Sequence, residues 1–388
     1  MTGEEEARGS RREAGSGLPC GRSPSYTGPM IDSALIRRLP KVELHDHLDG
    51  GLRTATVIDL AAERGVGLPE READALGAWF RRGADRKSLP LYLEGFAYTV
   101  AVMQDAEAIE RVAVEAVEDL SAEGVVYAEL RFAPVLNTRG GMDLESVVAA
   151  AVRGLGEGGR RTGMAWGLIL CAMRDMDARI SLETARLAES WRDRGVVGFD
   201  IAGDERGHPP RRHQEAFQFI RDRNFNITIH AGEAFGPESI WQALQSCGAH
   251  RIGHGTRLSE DMVLQGGRIA EMGRLAAYVR DRRIPLECCL SSNVQTGAAP
   301  SFAGHPFGGF YRNGFRVCLC SDNRLMSGTG LAKEMELAVV HFGLDLADLE
   351  KLTINAMKSA FAHFDERTAV IYDRIKPAYA RIRQETGA

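Results

Sequence analysis

The chain has 388 residues, of which 44% are hydrophobic and 26% are charged, a composition typical of a globular protein that can bury a substantial core. Its formal net charge of -5 provides no basic surface field, which argues against nucleic acid and anionic membranes as partners. A small, nearly neutral substrate fits this charge better.

Residues 1–29 are rich in Gly, Ser, Glu and Arg and lack the apolar block of a secretory signal. We expect a disordered tail there, followed by one catalytic domain over residues 30–388. The sequence contains no long run of uncharged apolar residues, so no membrane span is expected.

The seven cysteines are odd in number and show no C-x-x-C spacing, so they do not indicate a disulfide framework in a chain of this length. We therefore expect a reducing compartment, the cytoplasm. Four cysteines in apolar runs are expected to be small buried core residues. These are Cys288, Cys289, Cys318 and Cys320.

Short apolar runs alternate with stretches of helical period, a pattern typical of an α/β fold with a parallel sheet. Because a closed barrel leaves no sheet edge, eight such runs predict a single (β/α)8 TIM barrel. The predicted strands are Val42–His45, Val125–Phe132, Ala165–Ala172, Val197–Ile201, Asn226–His230, Arg251–His254, Pro285–Leu290 and Phe315–Cys320. The long connection 50–124 is expected to form extra helices over the C-terminal mouth, and Leu349–Phe361 a helix of the outer ring.

Polar clusters stand at the carboxyl ends of four predicted strands. They are His45-Asp46-His47, His230-Ala-Gly-Glu233, Gly253-His254-Gly255 and Ser321-Asp322-Asn323. These ends share one rim of a barrel, where enzymes of this fold assemble their active sites. A single H-x-H pair is also compatible with an exposed polar turn, but its coincidence with the other clusters predicts a catalytic site.

The ligand types in these clusters predict a metal site. The candidate ligands are His45, His47, His230 and Asp322. Three neutral nitrogens and one carboxylate oxygen suit Zn²⁺ with water at a remaining position, and the metal would bring the pKa of that water to about 7. No lysine occurs between Lys87 and Lys333, so the middle strands offer no carboxylated lysine to bridge two ions. One zinc ion per chain is therefore expected.

Two further residues are candidate catalytic groups. Glu233 follows a candidate ligand by three residues, close enough to act as a general acid; the alternative is a carboxylate that stabilises the N-terminus of the next helix. His254, between two glycines, can approach a bound hydroxide, and the alternative is a structural histidine in a tight turn.

The sequence resembles the adenosine deaminases in several motifs at once, from about Leu39 to Pro377. The motifs are His-Asp-His-Leu-Asp-Gly-Gly (45–51), Tyr127-Ala-Glu-Leu-Arg-Phe-Ala-Pro134, Gly198-Phe-Asp-Ile-Ala-Gly-Asp204, His-Ala-Gly-Glu (230–233), Gly-His-Gly (253–255) and Ser-Ser-Asn-Val-Gln-Thr-Gly (291–297). The resemblance implies zinc-dependent hydrolysis of adenosine or 2′-deoxyadenosine to inosine or 2′-deoxyinosine and ammonia, with water as co-substrate. It also implies a role in purine salvage and a monomer or homodimer.

Carried over to this sequence, the resemblance implies the same four zinc ligands. Asp322 would also belong to the catalytic groups, and His47 would also border the substrate. Glu233 would donate a proton to ring N1, and His254 would orient or deprotonate the water that attacks C6.

The resemblance also implies contacts with the nucleoside. The amide of Gly203 would donate to N3 and Asp49 would accept from the ribose 5′-hydroxyl, although a tight turn and a helix cap would also explain these two residues. A short helix would form an apolar lid over the purine, unless its residues are simple core. The lid residues are Leu89, Tyr92, Leu93 and Phe96.

Three positions depart from the family pattern. Asn323 replaces the acid that would donate to ring N7, but an amide NH₂ can donate as well, and Asp-Asn-Arg-Leu-Met (322–326) resembles a bacterial subgroup. Leu290 and Cys320 are expected near the pocket floor, where they could alter which sugar or base is accepted. The alternative substrates are a 5′-substituted adenosine such as aminodeoxyfutalosine, an antibiotic-like nucleoside, or free adenine.

Two other classes of protein stay open at this point. One is a metal-dependent amide or phosphoester hydrolase on the same barrel. The other is a non-enzymatic binding protein, which would not need Glu233 and His254 beside an intact ligand set.

Overall fold

The structure is a computed structural model that describes residues 31–387, so the tail predicted for residues 1–29 lies outside the described residues. Ten strands are present in this part of the chain. They are β1 (Lys41–His47), β2 (Val125–Phe132), β3 (Ala165–Met173), β4 (Val196–Ala202), β5 (Thr228–Ala231), β6 (Arg251–His254), β7 (Met262–Gln265), β8 (Arg268–Met272), β9 (Leu286–Cys288) and β10 (Val317–Leu319). Eight of them, all but β7 and β8, coincide with the eight predicted strands.

These eight strands pair in parallel as two four-stranded sheets, in the orders β1-β2-β3-β4 and β5-β6-β9-β10. Two single parallel bridges join the sheets, one between Phe199 and Ile227 and one between Asp46 and Asp322. The second bridge closes the barrel that the sequence predicts. It also brings the residues after β10 beside the end of β1.

The hairpin of β7 and β8 is not predicted by the sequence. Its strands are antiparallel and joined by Gly266 and Gly267, which both have positive φ. No residue of the two strands is fully buried, and only Met262, Ile269 and Met272 pack, half-buried, against the core. Because strand prediction relies on a buried face, the sequence gives little sign of it.

Helices surround the barrel and cover its mouth. They are α1 (Ser33–Arg38), α2 (Thr54–Arg64), α3 (Ala73–Ala84), α4 (Leu89–Leu93), α5 (Phe96–Val102), α6 (Ala106–Ala122), α7 (Leu144–Thr162), α8 (Ala178–Ser190), α9 (Gln214–Asp222), α10 (Pro237–Gln245), α11 (Arg274–Asp281), α12 (Leu290–Gln295), α13 (Phe307–Arg312), α14 (Arg324–Ser327), α15 (Leu331–Phe342), α16 (Leu346–Ser359), α17 (Phe364–Ala369) and α18 (Lys376–Thr386). The connection after β1 holds α2 to α6, as predicted. The helix predicted over Leu349–Phe361 begins at Leu346 and ends at Ser359.

Local sequence explains where these helices begin and how closely they pack. Asp105 and Asp143 cap α6 and α7, because each side chain accepts a hydrogen bond from a backbone amide in the first turn. On α7, Gly154 and Gly158 leave no room for a Cβ against α6. The two long helices therefore approach closely on the outside of β2 and β3.

The cysteines behave as the sequence predicts. Cys288, Cys289, Cys318 and Cys320 are buried and unpaired, so they are core residues. Within residues 31–387, no helix combines the length and apolarity that crossing a membrane would require.

Candidate active site

The carboxyl ends of the strands bring the four predicted metal ligands together. Asp322 Oδ1 lies 3.3 Å from His45 Nε2 and 3.5 Å from His47 Nε2. The Nε2 atoms of His47 and His230 are 3.1 Å apart. A positive ion shared by two imidazole nitrogens at this distance and a carboxylate would stabilise them more than a direct contact between the two nitrogens. His45 Nε2 is buried without a hydrogen-bond partner among the described residues, so the donor set fits a metal ion.

The structure adds a fourth histidine to this cluster. One ligand atom from each of His45, His230, His254 and Asp322 lies within 4.8 Å of the others. The side chains near this point thus offer one more imidazole than the predicted set of three. Distance alone does not say which histidine would remain free of a metal.

Burial keeps three of the imidazoles uncharged. It lowers the pKa of His47, His230 and His254 below the ordinary value, so each has a nitrogen lone pair available. For His45, burial and Arg131 also act to lower the pKa, but the nearby carboxylates of Asp322 and Glu287 raise it to about 9. A metal ion bound at His45 would take the place of a proton.

Carboxylates on other strands of the barrel hold two of these histidines. His45 Nδ1 lies 2.9 Å from Glu287 Oε2, and His230 Nδ1 lies 2.9 Å from Asp200 Oδ2. Arg131, fully buried on β2, bridges the two carboxylates at 2.8 Å to Asp200 and 2.9 Å to Glu287. Such partners fix the orientation of a metal ligand and raise its basicity.

The ionisation of this layer follows from its charges. Burial by itself would raise the pKa of Asp200 and Glu287. The contacts of Asp200 with His230 and Arg131, and the charges of Arg131 and Arg251 beside Glu287, bring both pKa values below their ordinary range. Both carboxylates therefore stay ionised under the histidines. The sequence did not indicate this layer, although Glu129 and Arg131 lie two residues apart in the predicted strand Val125–Phe132.

The two candidate catalytic groups face each other across the cluster. Glu233 Oε2 lies 3.5 Å from His254 Nε2, and both side chains are buried. Burial, with the charges of Asp322 and Glu205, raises the pKa of Glu233 to about 8, so it keeps its proton at neutral pH. The helix after Glu233 begins only at Pro237, so the alternative of a first-turn carboxylate is wrong.

Backbone strain marks two residues of the cluster. His254 and Asp322 have φ of 64° and 62°, in the left-handed region that residues other than glycine seldom adopt. For His254 this agrees with the tight turn that the sequence suggests. Its side chain nevertheless points into the site, and such strain is common where function dictates the backbone.

The cluster opens into a cavity of about 260 Å³. All the residues predicted to contact the substrate line this cavity. Besides His47, they are Asp49, Gly203, Asn323, Leu89, Tyr92, Leu93 and Phe96. The four apolar ones come from α4 and the start of α5, so the short helix predicted as a lid forms one wall. The hydroxyl of Tyr92 lies 2.8 Å from Ser327 Oγ at the end of α14, which holds this wall against that helix.

The polar residues of the cavity are open to a ligand. Asp49 Oδ1 is buried without a hydrogen-bond partner among the described residues, and the short 3₁₀ turn that contains Asp49 has no side-chain cap. The cap suggested as an alternative is therefore not seen. Gly203 has φ of 100°, as expected for a turn, and it also lines the cavity.

Two departures from the family pattern lie away from the cavity. Leu290 and Cys320 are fully buried in the core, and the described residues of the cavity wall include neither. Neither residue therefore forms part of the wall of the pocket near which the sequence places it. Short apolar side chains at strand ends can face the core as easily as the mouth, and the sequence does not distinguish these two directions.

Arg324 stabilises the contact between Asp46 and Asp322 that closes the barrel. It follows Asn323, the third position that departs from the family pattern. Its Nε lies 2.8 Å from Asp46 Oδ2, and Asp46 stands between two candidate metal ligands. Beside this pair, the amide of His47 donates to Asp322 O and the amide of Asp322 donates to His45 O, each at 2.7 Å. The ligands from both ends of the barrel are thus held in one register.

Glu205 organises the loop that carries Glu233. Its buried carboxylate accepts hydrogen bonds from four consecutive backbone amides, those of residues 232–235, at 2.6–3.0 Å. Glu205 follows Gly203 by two residues, so one side chain links the two loops predicted to contact the purine. The sequence analysis missed this role, because an acidic residue in a polar loop looks like an ordinary solvated group.

Proteins named adenosine deaminase are similar in sequence to most of this chain. The chain is 54% identical over 356 residues to adenosine deaminase 1 of Streptomyces coelicolor, an alignment that covers 90% of this chain and 89% of that protein. It is 52% identical to adenosine deaminase of Mycobacteroides abscessus, covering 90% and 98% of the two chains. Both alignments cover most of the chain that the structure describes.

A similar structure and a family model agree with these relatives. The apo structure of the N6-methyl-AMP deaminase from Arabidopsis thaliana is 29% identical, with a TM-score of 0.75 over 89% of this chain and 99% of that chain. The family model described as adenosine deaminase matches residues 40–377. The chain therefore belongs to the adenosine deaminase family.

Proposed function

We propose that this protein is a zinc-dependent hydrolase that converts adenosine and 2′-deoxyadenosine, with water, to inosine and 2′-deoxyinosine plus ammonia. The observation that carries the proposal is the combination of a metal-ligand cluster with Glu233 and His254 on the wall of one cavity. The relatives named adenosine deaminase support the substrate.

The chemistry of the donor set supports one zinc ion, held by His45, His47, His230 and Asp322. Three nitrogens and one carboxylate oxygen suit zinc. When bound, the ion would lower the pKa of a water molecule to about 7 and so provide the nucleophile at neutral pH.

The residues of the chain would do the rest. Glu233, protonated at neutral pH, donates to ring N1, which makes C6 more electrophilic. The amide of Gly203 donates to N3, and His47 borders the ring. The apolar wall of Leu89, Tyr92, Leu93 and Phe96 excludes bulk water from the purine. Addition of water at C6 and departure of the 6-amino group as ammonia yield the 6-oxo purine.

The ribose contact favours a nucleoside with a free 5′-hydroxyl over a 5′-substituted one or free adenine. Burial raises the pKa of Asp49 to about 7, and its Oδ1 lacks a partner among the described residues. A hydroxyl donor would satisfy that oxygen, which is costly to bury unpaired. A 5′-substituent that is not a donor would leave it unsatisfied.

An ultraviolet assay with purified protein tests this proposal. We expect turnover of adenosine, slower turnover of 5′-deoxyadenosine and of adenine, loss of activity after treatment with a chelator, and recovery on addition of Zn²⁺. Absence of adenosine turnover by the zinc-loaded protein would overturn the proposed substrate. Full activity in protein shown by elemental analysis to contain no metal would overturn the metal dependence.

Asn323 gives a prediction about pH. It is buried beside Asp322, and its amide can donate to ring N7 at any pH. In Asn323→Asp the new carboxyl donates only while protonated, so kcat/KM should fall as pH rises through its pKa, in a range where the original enzyme stays active. The measurement is kcat/KM for adenosine from pH 5 to 9. Asn224→Asp, the same change at an exposed turn, is the control, and identical profiles for the two variants would rule out the N7 contact.

A further inference from the structure

A line of hydrogen bonds runs from the backbone of α13 to the ring of His254. The amide nitrogen of Phe307 lies 3.0 Å from His305 Nδ1, and His305 Nε2 lies 3.1 Å from Asn293 Oδ1. At the other end of the amide, Asn293 Nδ2 lies 3.1 Å from His254 Nδ1. The side chains of His305, Asn293 and His254 are all buried. We call His305 and Asn293 the relay.

The first bond fixes the direction of the others. A backbone amide can only donate, so His305 Nδ1 must accept and carries no proton. Burial lowers the pKa of His305 to about 3, so the ring is neutral and its single proton is on Nε2. His305 therefore donates to the side chain of Asn293.

The orientation of the Asn293 amide follows. Its oxygen must face His305 Nε2, and the same oxygen accepts from the Thr256 hydroxyl at 2.9 Å. The rotated amide would set NH₂ against the N–H of His305, where neither group can accept. The NH₂ group is thus the end that faces His254, where it donates to Nδ1. Because Nδ1 accepts this hydrogen bond it carries no proton, and the proton of the His254 ring is on Nε2.

We propose that His305 and Asn293 are positioning residues that hold His254 in the tautomer with its proton on Nε2, so that His254 donates a hydrogen bond toward the reacting water and neither deprotonates it nor binds the metal. This inference rests on the proposed function for its catalytic meaning. Nε2 is the nitrogen that faces the site, since it lies 3.5 Å from Glu233 Oε2.

This tautomer decides which histidine is not a metal ligand and whether His254 acts as a hydrogen-bond donor or as a base. A nitrogen that carries a proton cannot be a metal ligand, so the histidine left out of the cluster is His254, and His47 completes the set. The same proton makes His254 a donor that orients the nucleophilic oxygen. The general-base role then requires a tautomer that Asn293 opposes.

The direct test is the tautomer itself, read by NMR. Long-range ¹H–¹⁵N correlations of zinc-loaded protein labelled with ¹⁵N-histidine distinguish a protonated from an unprotonated ring nitrogen. The signals that disappear in His254→Asn identify His254 among the ten histidines. We expect protonated Nε2 and unprotonated Nδ1 in the unchanged protein. A protonated Nδ1 would overturn the proposal, whether or not the protein acts on adenosine.

Two variants test the relay. Asn293→Asp is nearly isosteric and still accepts from His305 and Thr256, but it offers His254 an acceptor, so the proton should move to Nδ1. We expect kcat for adenosine to fall by about 10²-fold or more, with KM changing less and zinc content unchanged. His305→Phe frees the Asn293 amide to rotate, and we expect a mixture of His254 tautomers with a smaller loss of kcat.

The control is again Asn224→Asp, which makes the same chemical change at an exposed turn. If Asn293→Asp kept the original His254 tautomer and the kcat of this control, the relay would have no positioning role. If the unchanged protein had the expected tautomer but no activity on adenosine, the proposed function would fail while the relay stood.

Discussion

Glu233→Gln should reduce kcat for adenosine by about 10²–10⁴-fold without loss of the metal. The amide has the size of the carboxyl group and can donate a hydrogen bond to ring N1, but it has no proton to transfer. Glu233 has an exposed fraction of 5%, so water is poorly placed to replace it. The measurements are kcat from the ultraviolet assay and zinc per chain from elemental analysis.

The pH dependence gives an independent check on the same residue. The donating form of Glu233 is the protonated one, and burial raises its pKa to about 8. Most of the Glu233 side chains can therefore donate at neutral pH, and this fraction is lost as pH rises through that value. We expect kcat to decline on this alkaline side in the unchanged protein and the decline to be absent in Glu233→Gln.

Glu238→Gln is the matched control, because Glu238 is an exposed residue of the helix that follows the same loop. It removes one negative charge nearby and should leave kcat unchanged. If Glu233→Gln kept a kcat within about twofold of this control, another group must protonate the ring.

The barrel and its rim could be predicted from the sequence because both leave local signals. Each barrel strand is an apolar run, and the clusters at His45, His230, His254 and Asp322 interrupt such runs at their carboxyl ends. These polar clusters can be recognised without knowledge of any long-range contact. The fold rule for parallel barrels then places them on one rim.

The buried residues that hold the histidines of the rim in place could not be predicted from such local signals. Arg131 contacts Glu287, which lies 156 positions away in the sequence. His305 contacts Asn293, from which it is separated by a loop without regular structure. Each residue by itself looks like a stray charge or an ordinary polar side chain. Their roles depend on which neighbours the folded chain supplies, and single-sequence patterns do not carry that information.

Arg131→Met should be the most destabilising of the substitutions considered. The side chain is fully buried and its guanidinium lies 2.8 Å from Asp200 and 2.9 Å from Glu287. Methionine fills most of the space but leaves both carboxylates without this cation in a region that water does not reach. Breaking such a buried pair typically lowers the free energy of unfolding by about 3–5 kcal/mol.

The damage should extend to the metal site, because Asp200 and Glu287 are the partners of His230 and His45. Loss of such supporting contacts typically weakens metal binding by about 10–100-fold. Denaturant unfolding and zinc affinity by competition with a chelator measure the two effects. Arg131→Lys keeps the charge but cannot present two parallel donors, so we expect values between those of the methionine variant and the unchanged protein.

Arg161→Met provides the control for the loss of a paired arginine. Arg161 contacts Glu157 and Glu118 on the surface, with its side chain 54% exposed, and such pairs contribute about 1 kcal/mol or less. If Arg131→Met cost no more than this variant and kept its zinc affinity, the buried charges under the histidines would be dispensable. A large cost with weakened zinc binding would mean that the interior of this barrel holds its ligands in place through ion pairs as well as apolar packing.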